Sequence, residues 1–156
     1  MRRKDRERDS AFALEVLSGC EYASLATVNP DGTPYCVPIS PVRSGGSLYF
    51  HCATEGKKLL NIASNSSVCV CGVRRTRLVP ERFTTEYESA VAEGRCEIVR
   101  DEEEKAMALR LICEKYAASN PDAESEISRS LHRVAVCRIA IGSVTGKAYM
   151  PEQEMQ

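Results

Sequence analysis

The sequence lacks the features that mark several common classes of protein. Its formal net charge is only −1, with 21 basic and 22 acidic side chains interspersed, so nothing favours nucleic-acid binding. No apolar run approaches the roughly 18 residues that a membrane-spanning helix needs. The basic residues at the start, 1–4, are not followed by an apolar stretch, which argues against a signal peptide. These absences predict a cytoplasmic protein without nucleic-acid or membrane partners.

Ligands for a metal ion are also scarce. There are two histidines, His51 and His132, and the eight cysteines include no C-x-x-C pair. Cys69 and Cys71 fall on one face of an expected strand, but a zinc site there would need two further ligands. Most cysteines lie inside apolar segments, where a thiol behaves as a small hydrophobic group. The sequence therefore predicts reduced thiols and no metal site.

The pattern of apolar residues predicts one mainly β domain spanning residues 1–156. Six strands are expected at 21–28, 33–40, 47–52, 67–73, 87–99 and 134–141. Helices are expected at about 5–18, at 55–64, from Asp101 to the break at Asn120-Pro121, and at about 122–130. Residues 74–85 are irregular and basic and predict a loop, and a flexible tail is expected from about 148 to 156. Short turns between most strands favour a six-stranded antiparallel barrel of the Greek-key type with flanking helices.

Local signals fix some details of this barrel. The tetrapeptide 29–32 (NPDG) has Pro second and Gly last, which predicts a tight turn joining the first two strands as a hairpin. Pro34, Pro38 and Pro41 cannot donate ladder hydrogen bonds, so the second strand is expected at a sheet edge or at a bulge. Gly94, midway along a long strand, predicts a bulge or a close approach of two backbones.

The segment 48–58 (LYFHCATEGKK) is the most informative stretch of the chain. An apolar strand ends at His51 and Cys52, turns through Gly56 and leads into a helix that starts with Lys57 and Lys58. Unpaired N–H groups at a helix start, with two ammonium groups beside them, suit a phosphate. A solvated lysine pair is the simpler alternative that the local pattern leaves open.

Taken together, several segments resemble the FMN-binding split barrels related to pyridoxamine 5'-phosphate oxidase, and in particular their nitroimidazole-resistance (Nim) branch. The segments are 26–38 (ATVNPDGTPYCVP), 49–53 (YFHCA), 56–58 (GKK), 83–89 (FTTEYES) and 141–147 (IGSVTGK). The resemblance covers nearly the whole chain and rests on the combination of segments. It implies an FMN-binding split barrel that forms a homodimer, with the flavin bound between subunits.

The resemblance also implies which residues meet the cofactor. The lysine pair falls on the phosphate, the strand 37–39 lies along the isoalloxazine, and the partner subunit supplies the serine. His51 and Cys52 fall beside the ribityl chain or the ring, and His51 is the candidate catalytic residue. The cofactor-binding residues implied are Val37, Pro38, Ile39, His51, Cys52, Lys57, Lys58 and Ser89.

The leading hypothesis is an FMN-dependent reductase of a small electron-poor acceptor such as a nitroimidazole or nitroaromatic. His51 is expected to assist the acceptor, or only to contact the cofactor. The alternatives are a flavin-binding protein without turnover and a relative that binds haem or a deazaflavin. A deazaflavin has a longer anionic tail, which Arg74, Arg75 and Arg77 would bind. Pyridoxamine-phosphate oxidase activity itself is not expected, because the C-terminal segment that forms its substrate site has no counterpart here.

Overall fold

A curled antiparallel sheet of eight strands dominates the structure, a computed structural model that describes residues 2–150. The strands are β1 Glu7–Arg8, β2 Ala23–Val28, β3 Pro34–Ile39, β4 Val42–Ser44, β5 Ser47–Ala53, β6 Ser67–Val79, β7 Thr84–Ile98 and β8 Val134–Tyr149. Six of them are the predicted strands, and β1 and β4 are short additions. The mainly β, antiparallel architecture with flanking helices is confirmed.

Four α-helices flank the sheet within the described residues: α1 Ser10–Gly19, α2 Lys57–Ser64, α3 Glu102–Tyr116 and α4 Ala123–Ser130. The first begins later than the predicted 5–18 because the Asp9 side chain caps it, accepting a hydrogen bond of 2.8 Å from the N–H of Phe12. Ahead of it, Lys4–Arg6 forms one turn of 3₁₀ helix. The cap at Asp101 is confirmed, since its carboxylate accepts a 2.8 Å hydrogen bond from the N–H of Glu104.

The strands follow the order β3-β2-β6-β7-β8-β5-β4, with β1 also paired to β8. β2 and β3 form the predicted hairpin, in which Gly32 donates to the carbonyl of Asn29 at 2.8 Å. β3 is an end strand of this order, as its prolines predict. The bulge at Gly94 is confirmed by a register shift between Glu93 and Gly94, where an added Cβ would lie 2.1 Å from the carbonyl oxygen of Ala140.

The predicted loop at 74–85 is wrong. β6 runs on to Val79, turns through Pro80–Arg82 and returns as β7. Arginines continue the strand because they meet buried glutamates across the pair: Arg77 with Glu86 at 2.6 Å, and Arg74 with Glu88 at 2.6 Å. This two-stranded extension is called the β6–β7 arm below.

The expected C-terminal tail is wrong in part. β8 continues to Tyr149 because it pairs with β7 as far as Tyr87 and with β1, so residues 148 and 149 are ordered strand. Met150 follows the strand without regular structure, and the rest of the predicted tail, 151–156, lies outside the described residues.

Two apolar clusters hold the fold together. The first fills the barrel with residues from the inner faces of the strands and from α1 and α2; Leu25, Phe50, Val70, Ala92 and Ile139 are among its members. The second lies on the outer side, where α3 and α4 pack on the other face of β4, β5 and β8 through Val42, Tyr49 and Val136. β5 is therefore covered on both faces as far as Phe50, and His51 is its first exposed residue.

Candidate functional site

The N-terminus of α2 lies where the two ends of the sheet approach each other. The Lys57 Nζ is 4.7 Å from the ring centroid of Tyr35 on β3, and the Lys58 Nζ is 5.7 Å from that of Phe50 on β5. β3 and β5 stand near opposite ends of the strand order. The first turn of α2 thus brings β3, β5 and the lysine pair together in one place, which we call the split site.

The helix at the split site begins without a cap. Gly56 precedes it with φ of +134°, a conformation that residues with a Cβ rarely adopt, and no side chain accepts hydrogen bonds from the first N–H groups. An added Cβ at Gly56 would meet no atom within 4 Å, so the space before the helix is open. Free N–H groups, open space and two ammonium groups make a donor set that fits an anion such as a phosphate.

His51 lies on the exposed side of β5, opposite Val136 of β8. Partial burial of the ring lowers the pKa of His51 below its usual value, and the charge of Lys58 lowers it further. The imidazole is therefore neutral at pH 7. It can donate one hydrogen bond and accept another, while the imidazolium form becomes scarce.

Cys52 belongs to the opposite face of β5 and contacts other thiols. Its side chain hydrogen-bonds with that of Cys137, and this bond together with burial raises the pKa of Cys52. A hydrogen bond from Cys52 lowers the pKa of Cys137, but the contact with Cys96 and burial outweigh it and raise that pKa to about 12. All eight cysteines are free in the structure, and their raised pKa values keep Cys52 and Cys137 protonated at neutral pH.

The predicted flavin strand presents its side chains to two faces. Val37 packs against the barrel core and Ile39 is part of it, whereas Pro38 is exposed on the outer face. No strand continues the described sheet beyond β3. Groups of its backbone edge remain available beside Lys57.

The two lysines have different surroundings. Lys57 lines a cavity of about 350 Å³ with Asn29, Asp31 and Asn61. Hydrogen bonds from Thr33 lower the pKa of Asp31, and the charge of Lys57 lowers it further, so this lysine faces an ionised carboxylate. Lys58 points toward Phe50, His51 and Cys52 instead.

Ser89 lies far from the split site within one protomer. It pairs with Lys147 on β8, and its hydroxyl donates to the Lys147 carbonyl at 3.3 Å. His51 pairs with Val136, which also lies on β8, eleven residues before Lys147. That separation is roughly 36 Å of strand at about 3.3 Å per residue. Lys58 lies beside His51 and Cys52, and Lys57 lies over Tyr35 of the strand that also holds 37–39. Ser89 is far from these residues along the sheet, so a role for it at the same site would require a second subunit.

Two larger cavities lie away from the predicted residues. One of about 590 Å³ is on the sheet beside Cys69 and Gly94, and one of about 580 Å³ lies between α2, β7 and α3 beside Ser66 and Arg138. Neither is lined by His51 or the lysine pair. No group of three or more potential metal ligands occurs in the described part of the chain, and no helix there is long and apolar enough to cross a membrane.

Sequence reasoning missed one group of residues. Arg6, Tyr87, Lys147 and Tyr149 come together at the far end of β7 and β8. The spacing of Lys147 and Tyr149 could have indicated part of this group, because residues two apart on a strand share a face. Tyr87 and Ser89 have the same spacing. The placement of Arg6 beside them had no local signal.

An antiparallel sheet curled around one core, with helices at its ends and a cationic helix start at its split, defines the split-barrel class of proteins. The sequence profile of the pyridoxamine 5'-phosphate oxidase family matches residues 9–148. The chain therefore belongs to that family.

Solved structures of similar fold include proteins of several kinds. A candidate 5-nitroimidazole antibiotic resistance protein from Bacteroides thetaiotaomicron is 26% identical with a TM-score of 0.76, over 90% of this chain and 84% of that one. A FAD-binding protein from Mesorhizobium loti is 23% identical with a TM-score of 0.70, over 93% and 98% of the two chains. The haem storage protein HutZ from Vibrio cholerae is 16% identical with a TM-score of 0.69, over 94% and 99%. Among curated proteins no match was found.

Proposed function

We propose that this protein binds FMN at the split site and reduces a small electron-poor acceptor, such as a nitroimidazole or another nitroaromatic compound. The observation that carries the proposal is the uncapped start of α2, where two lysines and free N–H groups lie beside His51 at the end of β5. Membership of the family and similarity to a candidate 5-nitroimidazole resistance protein support it.

The residues of the split site fit FMN in distinct ways. Lys57, Lys58 and the first N–H groups of α2 would hold the phosphate. The free edge of β3 at 37–39 offers backbone groups to the polar edge of the isoalloxazine, and Cys52 offers a protonated thiol without nucleophilic character. When bound, FMN supplies the hydride or electrons that reduce the acceptor.

The role of His51 follows from its charge state. Because its pKa is lowered, the side chain acts at pH 7 mainly as a neutral N–H donor that polarises an oxygen of the acceptor. Proton donation by the imidazolium form would grow only below the usual pKa of histidine, about 6.5. We expect acceptor reduction to depend on pH through this one side chain.

The proposal includes a homodimer. Ser89 lies far along β8 from His51 in its own protomer, so only a second copy can place a serine at the split site. The β6–β7 arm carries apolar side chains that a partner could cover: Leu78 is 76% exposed and Phe83 98%. Sedimentation should give a dimer; a stable monomer of about 17 kDa with FMN still bound contradicts this part.

Absorption spectroscopy of the purified protein tests the cofactor first. Flavin bands released as FMN on denaturation support the proposal, whereas a haem Soret band or a colourless protein that takes up no FMN contradicts it. Anaerobic reduction by NADH or NADPH, followed by addition of a nitroimidazole, then separates an enzyme from a carrier. Reoxidation by the acceptor at many turnovers indicates a reductase, and its absence favours flavin binding without turnover.

Replacing His51 tests its role directly. His51→Ala should keep most FMN affinity because the lysines hold the phosphate, but should slow acceptor reduction per bound flavin by about 10²-fold. His132→Ala is the matched control, since His132 is exposed in the connection between α4 and β8. If FMN affinity falls while the rate per bound flavin is unchanged, His51 is a cofactor contact only.

Haem is the second candidate, because a neutral, exposed imidazole such as that of His51 is also a good ligand for iron. Titration with haem in place of FMN tests it. A Soret shift that His51→Ala abolishes would favour the haem-binding alternative.

A further inference from the structure

The end of the sheet away from α2 carries a second group of cationic and aromatic side chains, here called the arginine–tyrosine cluster: Arg6, Tyr87, Lys147 and Tyr149. Tyr87 and Tyr149 are directly paired across β7 and β8, and Lys147 lies two residues before Tyr149 on the same face. The Arg6 guanidinium lies 3.9 Å from the ring centroid of Tyr149, and the Lys147 Nζ is 5.8 Å from that of Tyr87. The pairing of β1 with β8 at Glu7 and Lys147 fixes this arrangement.

Carboxylates near this cluster are already engaged. Asp5 accepts two hydrogen bonds from Arg3, at 2.9 and 2.7 Å, and Glu7 pairs with Lys4 at 3.1 Å. The Arg6 Nε lies 4.0 Å from the Asp5 carboxylate, which is beyond hydrogen-bonding distance. Across the described residues, Lys147 has no carboxylate within 4.0 Å. The cluster therefore keeps a net positive charge.

One polar atom of the cluster is buried and unsatisfied. The Arg6 side chain is 21% exposed, and its Nε, shielded from solvent, has no hydrogen-bond acceptor within the described part of the chain. A buried N–H without an acceptor destabilises a fold unless a ligand or another molecule satisfies it. The Arg6 Nε–H lacks such an acceptor within the described residues.

The phenol of Tyr87 is influenced by the same two cations. Burial alone would raise the pKa of Tyr87, but the interactions with Arg6 and Lys147 outweigh that effect and lower it. The acidic groups of the neighbouring N-terminal segment are Asp5 and Glu7, both paired as described above. Both cations of the cluster therefore act on the Tyr87 phenol.

We propose that the arginine–tyrosine cluster is a binding site for a small oxyanion, a carboxylate or a phosphate, held by Arg6 and Lys147 with the Tyr87 hydroxyl as a further donor. The planar guanidinium suits an oxyanion because its N–H groups match two oxygens at once. The site is separate from the split site of the same protomer, since Lys147 and Val136 are eleven residues apart on β8. In the proposed dimer it would lie next to the partner's split site, because Ser89 pairs with Lys147.

Isothermal titration calorimetry of the full-length protein as purified, with inorganic phosphate and with benzoate, tests this proposal. The buffer should contain neither phosphates nor carboxylates. We expect saturable binding of at least one probe. Arg6→Gln and Lys147→Gln should each weaken it by roughly tenfold or more, because each removes a charge-assisted hydrogen bond. Tighter binding of benzoate identifies a carboxylate ligand, and tighter binding of phosphate identifies a phosphate ligand; either supports the site.

Arg8→Gln is the matched control. Arg8 carries the same charge in the same segment, but its guanidinium donates to the backbone carbonyls of Asp5 and Glu7 and lies outside the cluster. It should leave binding within about twofold of the parent, whereas an equal loss would mean that net charge alone attracts the anion.

Two further results would overturn the proposal. One is no detectable binding of either probe to the parent. The other is loss of FMN together with the oxyanion in Arg6→Gln, since the cluster would then belong to the cofactor site. Circular dichroism of each variant confirms that the fold is retained, and Tyr87→Phe, which keeps the ring and removes one donor, should weaken binding less than the loss of either cation.

Discussion

Helices α2 and α3 begin in opposite ways. α3 follows Asp101, whose carboxylate accepts the N–H of Glu104, and its first turn holds Glu102, Glu103 and Glu104. α2 follows Gly56, which has no side chain to offer, and its first turn holds Lys57 and Lys58. A carboxylate satisfies the free N–H groups of a helix start and opposes its partial positive charge, whereas a lysine adds to that charge.

The difference separates a structural helix start from one that suits a ligand. The acidic turn of α3 is complete in itself, and Glu104 also accepts hydrogen bonds from Tyr49 at 2.9 Å and Arg138 at 2.9 Å, which fasten the helix to the barrel. The start of α2 combines two ammonium groups with uncapped N–H groups, an arrangement that only an anion relieves. The free energy of unfolding is lower than it would be if α2 were capped. The uncapped N–H groups lie where we propose that the phosphate binds.

The largest expected effect follows from removing the charges of α2. Each phosphate contact contributes on the order of 1.5–3 kcal/mol, so Lys57→Ala and Lys58→Ala should each weaken FMN binding by roughly ten- to a hundredfold, and the double variant by more. Without FMN, the same variants should be slightly more stable, by about 0.3–1 kcal/mol per lysine, because the repulsion with the helix dipole is gone. Flavin fluorescence titration and urea unfolding measure the two quantities.

Lys105→Ala in α3 is the control for this pair, because it removes the same charge near the other helix start and should leave FMN affinity unchanged. An FMN affinity of the double α2 variant within a factor of two of the parent would show that the phosphate is held elsewhere.

A smaller effect is expected at α3. Asp101→Ala removes the cap and leaves the N–H of Glu104 without its acceptor, so the free energy of unfolding should fall by about 1 kcal/mol. FMN affinity should stay the same, since α3 lies outside the split site. Urea denaturation checks the first quantity and flavin titration the second. A loss of FMN affinity without a loss of stability would reverse the roles assigned to the two helices.

Features set by neighbouring residues could be predicted from the sequence. The Asp101 cap, the turn at 29–32 and the glycine before Lys57 all depend on residues a few positions apart. The edge position of β3 followed from its prolines, and the bulge from Gly94, because both residue types restrict which backbone pairing is possible.

Features set by distant pairing could not be predicted. Residues 74–85 looked like a basic loop because Arg77 is matched by Glu86 only after the chain turns back. β8 extends to Tyr149 because β1 joins it at Glu7 and Lys147, 140 residues apart in sequence. The same pairing builds the arginine–tyrosine cluster. No signal in the sequence indicated that the adjacent side chains of Lys57 and Lys58 lie over rings on two different strands.

The smallest expected effect is a shift in the pKa of His51, which identifies the lysine that lowers this pKa. Burial lowers the pKa of His51 first and Lys58 lowers it second. Lys58→Met should therefore raise this pKa toward its usual value without restoring it fully. Lys57→Met is the control, because Lys57 lies over Tyr35 on the other side of the split, and it should change the pKa of His51 less.

The sign of the linked stability follows from the same shift. The folded protein disfavours protonated His51, so its stability falls as the pH drops below the unfolded value of about 6.5 and through the lowered folded value. In Lys58→Met this loss should become smaller. Nuclear magnetic resonance titration of the imidazole and urea unfolding at pH values on both sides of that range measure the two effects. Equal pKa shifts in Lys57→Met and Lys58→Met would mean that His51 responds to the total charge of the helix start and has no specific neighbour in Lys58.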